Sequence, residues 1–369
     1  MGDPEDNITY SKSGVDYSSI DPAKVSAQQA AAKTSKNLGY FGMEEIAASR
    51  GESAYVWREQ DGYRALVVEG LGTKNLVADS MRNITGKTYY DQIAQDTVAM
   101  IVNDLIVVGA LPNVINAYFA IGDSEWMNDK QRANDLIKGW AAACELAGAT
   151  WGGGETPALK GIINPETIDL AGSAIGSVAS DKPILGDGLT ENDAIILVES
   201  SGIHANGLTL ARSIAGKLEK GYSTKLRDGR TYGDVLLNPT HIYVPLVRDM
   251  IESKIDIHYM VNITGHGWRK IMRANKNITY KINYTPPVPT EFEFIKDKAG
   301  IDDTEMYGNF NMGAGFAIFV PQKDVMTVLG SAKKVGLKAW EAGQVEKGPK
   351  KVVIEPKNIV FEGDSLGVR

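Results

Sequence analysis

The chain has 369 residues and a mass of 39.9 kDa, which suggests two or three domains at about 150 residues per domain. Its 39 basic and 46 acidic residues give a net charge of −7, which argues against a nucleic acid as the main partner. The single cysteine excludes an internal disulfide framework and a thiolate metal cage. Because the first residues are polar and acidic and no apolar run approaches the length of a membrane span, we expect a cytoplasmic protein with no membrane partner.

Helix and strand signals alternate through the first half of the chain. An Asp-Gly turn at 61–62 separates two strand-like runs, which predicts a hairpin. Between residues 98 and 108 the only polar residues are Asn103 and Asp104, which predicts a buried helix. In chain order, the predicted elements are a helix at 23–37, strands at 54–57 and 63–69, helices at 91–110 and 128–148, and a strand at 169–178.

A segment rich in Pro, Gly and Asp at 180–193 is typical of a domain boundary. The second half begins with a buried strand at 193–199, and a turn and a helix follow it. Since helices and strands alternate in both halves, the expected fold class is α/β (α+β) with two domains. We place these domains at residues 1–182 and 183–369.

A glycine-rich turn follows the predicted strand at 63–69. Residues 70–74 read Gly-Leu-Gly-Thr-Lys, and Glu69 precedes them. Glycines allow backbone N–H groups to approach phosphate oxygens closely, and the lysine adds a point charge. The spacing is not that of a Walker loop, so this segment is either a phosphate-binding element or an ordinary tight turn.

Two acidic residues lie on the predicted helix at 91–110. Asp96 and Asn103 are two turns apart on one face, and Asp104 is the next residue. A buried carboxylate must be paired, hydrogen-bonded or bound to a metal. Two acids on one buried helix suit a hard cation such as Mg²⁺, with phosphates completing its shell. The alternative is a helix end that emerges into solvent, or a cap.

Residues 151–156, Trp-Gly-Gly-Gly-Glu-Thr, are expected to form a loop. Three glycines expose backbone groups that suit phosphate or the positioning of Glu155. A plain connector is the alternative.

Residues 200–207, Ser-Ser-Gly-Ile-His-Ala-Asn-Gly, join a buried strand to the next helix. This puts His204 where loops often carry function, although Ser201 and Asn206 are also suited to cap the helix. A second glycine-rich strip, Ile-Thr-Gly-His-Gly-Trp at 263–268, precedes a predicted basic helix. A helix N-terminus after such a turn is an anion site.

Glycine turns, buried acids and a lysine together indicate a nucleotide phosphate with Mg²⁺. Read in order, these segments resemble the aminoimidazole ribonucleotide synthetase family, also called phosphoribosylformylglycinamidine cyclo-ligases. The matching segments are Tyr-Ser-Lys-Ser-Gly-Val-Asp at 10–16, Gly-Leu-Gly-Thr-Lys at 70–74, Asp-Thr-Val-Ala-Met-Ile-Val-Asn-Asp-Leu at 96–105, Gly-Gly-Glu-Thr at 153–156, Asp-Leu-Ala-Gly at 169–172, the 200–207 turn, Leu-Asn-Pro-Thr-His-Ile-Tyr at 237–243, and Glu-Met-Tyr-Gly-Asn-Phe-Asn-Met-Gly-Ala-Gly at 305–315.

The resemblance implies two α/β domains and a homodimer formed through the N-terminal domains. It implies an ATP-dependent ring closure of formylglycinamidine ribonucleotide, a small-molecule substrate, in purine biosynthesis. The roles implied by position are His204, Asn206 and Lys74 in catalysis; Gly70, Gly72, Thr73, Lys74, Asp16, Thr264, Gly265 and Gly267 in binding of ATP and its phosphates; and Asp96, Asp104, Glu69 and Glu155 at Mg²⁺.

Several residues depart from the family pattern near the expected substrate site. Glu69 stands where the family has Asp, His266 where it has Gly, and Gly308 with Asn309 where it has Arg-Thr. Two alternatives to a cyclo-ligase therefore stay open. One is a sister ATP-dependent enzyme that acts on another amide or phosphate acceptor, and the other is a non-catalytic nucleotide-binding homologue. Thiamine monophosphate kinase, the hydrogenase-maturation dehydratase and selenophosphate synthetase are such sisters; the last two use a reactive cysteine that has no counterpart here.

Overall fold

The computed structural model describes residues 17–367, with side chains from residue 21 onwards. The helices are α1 (Tyr17–Ala32), α2 (Lys74–Thr85), α3 (Tyr90–Ile106), α4 (Lys130–Ala147), α5 (Leu208–Lys217), α6 (Tyr232–Leu236), α7 (Val244–Glu252), α8 (Thr290–Ala299), α9 (Asp303–Asn309) and α10 (Val325–Lys334). The strands are β1 (Glu44–Glu45), β2 (Tyr55–Glu59), β3 (Gly62–Gly70), β4 (Ala110–Ile121), β5 (Thr150–Glu155), β6 (Ile168–Val178), β7 (Ala194–Glu199), β8 (Tyr259–Asn262), β9 (Ile278–Ile282), β10 (Ala314–Val320), β11 (Ala339–Lys347), β12 (Lys351–Ile354) and β13 (Ile359–Glu362).

The first sheet has the strand order β1-β2-β3-β6-β4-β5. The β4–β5 pair is parallel, and the other pairs are antiparallel. Helix α3 packs on β3, β4 and β6, and α4 packs on α3. The side chains of β3 alternate accordingly: Ala65 and Val67 are buried, while Leu66 and Val68 on the opposite face are exposed. One face of this sheet is therefore covered by helices, and the other is largely open, with Leu66 lining a pocket beside Leu38 and Phe41.

The second sheet has the order β13-β12-β9-β11-β7-β10-β8. Only its β9–β12 pair is parallel within the described chain. The apolar strands β7 and β10 lie side by side as the fifth and sixth strands of this order, and nearly all their residues are buried. Continuous apolar runs are expected for strands covered on both faces.

These two sheets confirm the predicted mixed α/β class with two parts. The predicted hairpin is confirmed by the pairing of Glu59 with Gly62, and the helix from Leu208 and the strand at 169–178 are also present. The predicted boundary at 182/183 lies in the segment that connects β6 to β7. None of the helices described in the structure is long and apolar enough to cross a bilayer.

Three predicted elements differ in the structure. The helix expected at 23–37 is instead α1, which ends at Ala32, and a separate 3-10 helix over Ser35–Phe41 follows it. The helix expected at 91–110 ends at Ile106, because Gly109 adopts φ 79° and the chain turns into β4. The expected loop at 151–156 is largely a strand, β5.

The glycines of β5 are explained by its close packing on β4. A Cβ built on Gly154 would lie 2.0 Å from the carbonyl oxygen of Ala117, and one on Gly152 would lie 2.5 Å from Val114 Cγ1. Only residues without a side chain fit at these positions. The prediction of a loop was wrong because a glycine run signals close backbone approach as well as flexibility.

Candidate active site

Polar residues on the buried helix α3 connect the two halves of the chain. Asp96 Oδ1 accepts hydrogen bonds from the backbone N of Thr240 at 2.8 Å and from its hydroxyl at 2.5 Å. Asn103 donates to the carbonyl of His241 at 2.7 Å and accepts from the backbone N of Tyr243 at 2.9 Å. These bonds satisfy polar groups that are buried at the junction. Asp96 and Asn103 are therefore neither caps nor residues of a solvent-exposed helix end.

Lys74 begins α2 and belongs to the same junction. Its side chain is 0 % exposed, and Nζ donates to Asp96 Oδ1 at 2.8 Å and to the carbonyl of Asn238 at 2.7 Å. Burial lowers the pKa of Lys74 and raises the pKa of Asp96, while the charge of each opposes the shift of the other. The ammonium group is thus paired inside the protein.

A cavity of about 300 Å³ lies between the two halves, at the lower end of the range typical of ligand pockets. Residues of β3, α3 and the turn after β7 line it, together with the segment that follows β8. Lys24 and Gln28 of α1 and Leu366 also line it. A larger cavity of about 1050 Å³ borders α2 and α5, and none of the described residues predicted for catalysis or cofactor binding lines it. The smaller cavity is therefore the candidate active site.

Glu69 on β3 and Asp104 on α3 form a carboxyl pair in this cavity. Burial raises the pKa of Glu69 to about 8, and the negative charge of Asp104 adds to the effect. Asn262 donates to Asp104 Oδ1 at 2.6 Å, which fixes the second carboxyl group. With its pKa at about 8, Glu69 is mostly protonated at neutral pH beside the negative charge of Asp104. A divalent cation bound here would favour the ionised form of Glu69.

Lys270 provides positive charge in the same cavity. Its side chain is buried, and Nζ donates to Thr264 Oγ1 at 2.6 Å. Burial lowers the pKa of the ammonium group, and the charge of Asp104 opposes that shift. Arg273 also lines the cavity and donates to Ser53 Oγ at 2.7 Å. Cations beside a carboxyl pair suit a ligand that brings phosphate together with a metal ion.

The turn between β7 and α5 carries His204 and Asn206. His204 is buried with φ 60°, and its Nε2 accepts a hydrogen bond from the backbone N of Ser201 at 3.1 Å. Burial, with smaller contributions from His241 and Lys74, lowers the pKa of His204 well below its ordinary value. The ring is therefore neutral, with its proton on Nδ1. Asn206 lines the cavity, and His204 does not.

The expectation that Ser201 or Asn206 caps the following helix is wrong. Gly207 occupies the cap position of α5 with φ 80°, and no side chain caps the helix. Ser201 Oγ donates instead to the carbonyl of Pro239 at 2.6 Å, and Asn206 Nδ2 contacts Met100 Sδ at 3.7 Å. Both side chains are thus directed toward the junction and the cavity.

The structure brings some of the predicted site residues together and separates others. Those that line the cavity are Glu69, Asp104, Asn206, Thr264 and Gly265. Those held at the junction of the two halves are Lys74, Asp96 and His204. Asp16 lies outside the described residues.

The predicted glycines serve packing between segments of the site. A Cβ on Gly72 would lie 3.9 Å from the carbonyl oxygen of Ala205, so the 70–73 turn lies against the turn that carries His204. A Cβ on Gly267 would lie 2.3 Å from the carbonyl oxygen of Tyr307, which leaves no room for a side chain. Gly70 and Thr73, the two ends of the 70–73 turn, do not line the cavity.

The four predicted Mg²⁺ ligands do not lie together. Glu69 and Asp104 are paired, Asp96 is bonded to Lys74, and Glu155 is exposed at the end of the edge strand β5. Over residues 17–367 there is no group of three or more His, Cys, Asp or Glu side chains arranged for a metal ion. A two-carboxylate site still fits Mg²⁺, since this ion commonly takes one or two carboxylates and completes its shell with substrate phosphates and water.

Sequence reasoning did not find Lys270 and Arg273. Both lie in the run that predicts a basic helix after the glycine strip, but the structure has a six-residue 3-10 helix over Gly267–Met272. An anion site here consequently depends on side chains and on Thr264 and Gly265, and not on a helix N-terminus. The signal available in the sequence was the spacing of three residues between the two cations.

Fold and site together define a class: an α/β protein of two halves with a charged ligand cavity at their junction. The sequence matches the family described as AIR synthase related protein in both halves, its N-terminal domain at residues 51–178 and its C-terminal domain at residues 190–355. The chain belongs to this family.

The chain is similar to named relatives over nearly its whole length. It is 36 % identical over 345 residues to the phosphoribosylformylglycinamidine cyclo-ligase of Methanothermobacter thermautotrophicus, covering 92 % of this chain and 96 % of that protein. It is 34 % identical to the protein of the same name from Carboxydothermus hydrogenoformans, covering 95 % and 99 %.

Solved structures share the fold at lower identity. One is a HypE–HypF complex, with a TM-score of 0.59, 19 % identity and coverage of 84 % of this chain and 92 % of that one. Another is AaThiL complexed with AMPPCP and TMP, with a TM-score of 0.57, 15 % identity and coverage of 85 % and 90 %. At such identities the likeness concerns the fold alone.

Proposed function

We propose that the protein is an ATP-dependent cyclo-ligase that closes the ring of formylglycinamidine ribonucleotide to give aminoimidazole ribonucleotide in purine biosynthesis. The observation that carries this proposal is full-length similarity to proteins named for that reaction, in a chain whose cavity pairs carboxyl groups with cations. A cytoplasmic location suits a chain whose single cysteine, Cys144, is buried and unpaired.

The proposed chemistry activates an amide oxygen. ATP transfers its γ-phosphoryl group to that oxygen and leaves as ADP. The internal amine then attacks the amide carbon, the C–O bond breaks, and the oxygen departs within inorganic phosphate. Activation is needed because an unmodified amide oxygen is a poor leaving group, and the protein's task is positioning and charge neutralisation.

Phosphate and metal binding are assigned to the cavity. Thr264, Gly265 and Lys270 are suited to bind phosphate oxygens through a hydroxyl, a backbone N–H and an ammonium group. Glu69 and Asp104 would hold Mg²⁺ jointly with the phosphates of ATP. The ion, when bound, neutralises the charge of the transferring phosphoryl group.

The remaining predicted residues receive positioning roles. Asn206 faces the cavity and is placed to orient the reacting amide. His204 fixes the turn that carries Asn206 by accepting the hydrogen bond of Ser201, and Lys74 fixes the junction behind it. From the resemblance of their segments, Asp16 and the glycine turn stay predicted contacts of the nucleotide, and Glu155 stays a predicted contact of Mg²⁺.

A homodimer is proposed to form through the open face of the first sheet. On β3, Leu66 is 41 % exposed and Val68 is 69 % exposed. Leu66 lies opposite Tyr55 on β2 and Ile175 on β6, so an apolar row crosses three strands. Such a row on an open sheet is typical of a surface covered by another chain.

The test is ADP release by the purified protein with Mg-ATP, with and without formylglycinamidine ribonucleotide, alongside detection of aminoimidazole ribonucleotide. We expect ADP release that requires the substrate and equals the imidazole formed. ADP release that is indifferent to the substrate would support a sister enzyme instead. ATP binding without ADP release would support a non-catalytic homologue.

A further inference from the structure

A buried carboxyl group lies outside the cavity, close to the turn that carries His204. Glu291 is in the first turn of α8, and its side chain is 0 % exposed. Neither carboxyl oxygen has a hydrogen-bond partner on another residue of the described chain. Burial of an unpartnered carboxyl group costs stability, and an apolar residue of similar size would avoid that cost. The residues around Glu291 must therefore explain why an acid, and not an apolar residue, occupies this position.

The carboxyl group packs directly behind the His204 turn. Gly202 has φ 137°, and a Cβ built on it would lie 2.4 Å from Glu291 Oε1 and 3.6 Å from Asn238 Nδ2. Asn238 donates in turn to the carbonyl of Ser201 at 3.1 Å. Glu291 thus occupies the space that the absent side chain of Gly202 leaves, against the backbone on which the turn is built.

Glu291 also contributes to the electrostatic surroundings of Lys74. Its negative charge raises the pKa of Lys74, as does the larger effect of Asp96. Burial raises the pKa of Glu291 to about 7, so its own charge changes near neutral pH. The other charged or titratable groups facing it are Arg230 and Asp228, whose charges act in opposite directions, and Tyr232 on α6.

We propose that Glu291 is a positioning residue for the reaction assigned above, on which this inference rests. Its carboxylate supports the His204 turn from behind Gly202 and supplies a second negative charge that keeps Lys74 protonated at the junction. The ionised form is the working form, because the protonated form supplies no charge to Lys74. Since Glu291 does not line the cavity, it acts on turnover and not on affinity for ATP.

The test compares three variants with the full-length wild type. Glu291→Gln keeps the shape and removes the charge, and Glu291→Ala removes both. Glu293→Gln is the control, because Glu293 is exposed on the same helix. kcat and KM for ATP are measured from about pH 6 to 8.5 at saturating Mg²⁺, so that a bound cation holds Glu69 ionised and kcat reports groups of the complex.

We expect wild-type kcat to rise with pH through a midpoint near 7, the pKa of Glu291. In Glu291→Gln this midpoint is absent and kcat at pH 8 falls about tenfold, with KM for ATP within about twofold of wild type. Glu291→Ala falls at least as far, and Glu293→Gln behaves as wild type. A Gln variant that keeps both kcat and the midpoint would overturn the proposal. Parallel changes in kcat and KM with a lower Tm would assign Glu291 a structural role instead, which also overturns it.

A readout without turnover separates this inference from the proposed function. Infrared difference spectra between about pH 6 and 8 report the C=O band of a buried carboxyl group as it loses its proton. A titrating band in the wild type that is missing from Glu291→Gln supports the charge change at this residue, even if the ring-closing activity is absent. Spectra identical in the two proteins would contradict it.

Discussion

Two acids of one buried helix have opposite surroundings. Asp96 Oδ1 receives donors from Lys74 and Thr240, so one oxygen of this carboxylate is fully engaged within the protein, while Oδ2 is buried without a partner among the described residues. Asp104 receives one donor, from Asn262, and shares the cavity with Glu69. Only the second arrangement places a carboxyl group in the lining of the cavity, where a ligand can reach it. Whether an acid of this helix has a structural role or a ligand-binding role therefore depends on the residues that face it, and not on the helix that carries it.

The Glu69–Asp104 pair predicts that Mg²⁺ binding releases a proton. Because Glu69 has a pKa of about 8, it must lose a proton to bind the ion near pH 7, and the affinity for Mg²⁺ rises with pH up to about 8. Titration calorimetry of Mg²⁺ into the protein with ADP, in two buffers of different ionisation enthalpy, measures the protons released. We expect nearly one proton per ion.

Glu69→Gln is expected to abolish that proton release and to weaken Mg²⁺ binding about tenfold or more. Glu219→Gln, at an exposed position of the same chain, serves as the control and should match the wild type. Unchanged proton release in Glu69→Gln would exclude Glu69 from the ion's site.

At the scale of elements, α3 holds the two halves together. Its polar residues bond to the segment between α6 and α7 and to β8, while its apolar residues pack on the first sheet. The sequence pattern correctly predicts that this helix is buried and that its acids need partners. The identity of those partners could not be predicted from the sequence. Thr240 is 144 residues away from Asp96, and Asn262 is 158 residues away from Asp104.

Asp96→Asn is expected to destabilise the protein. It removes one charge of a fully buried ion pair and leaves Lys74 without a carboxylate at 2.8 Å, a change that typically costs about 3 to 5 kcal/mol. Urea denaturation measures the free energy of unfolding. Asp91→Asn, at an exposed position in the first turn of the same helix, should change it by less than about 0.5 kcal/mol. Equal stabilities of the two variants would refute the role of Asp96 as an anchor.

At the scale of the whole molecule, periodicity and turn residues were enough to predict the two α/β parts. They were not enough to predict β5, where Gly154 meets the β-strand backbone of Ala117, because glycine is equally common in loops. The site shows the same limit. Glu69, Asp104, Asn206 and Thr264 were predicted and meet in one cavity, but the pairing of Lys74 with Asp96 depends on how the halves dock.

The open face of the first sheet predicts a dimer that a single charge disrupts. Leu66→Glu places a carboxylate in the centre of the apolar row, where burial against a second chain is unfavourable. Analytical ultracentrifugation should give a dimer for the wild type and a monomer for the variant. Met326→Glu is the control, since Met326 is equally apolar and 76 % exposed on α10, in the other half of the chain. A wild-type monomer would refute the dimer.

Whether this cavity activates an amide oxygen with ATP can be read from the fate of that oxygen. Formylglycinamidine ribonucleotide labelled with ¹⁸O in the reacting amide is turned over with Mg-ATP, and the released phosphate is analysed by mass spectrometry. We expect each inorganic phosphate to carry the labelled oxygen, with one aminoimidazole ribonucleotide formed per ADP. Unlabelled phosphate, with the label released into water, would contradict phosphorylation of the amide oxygen.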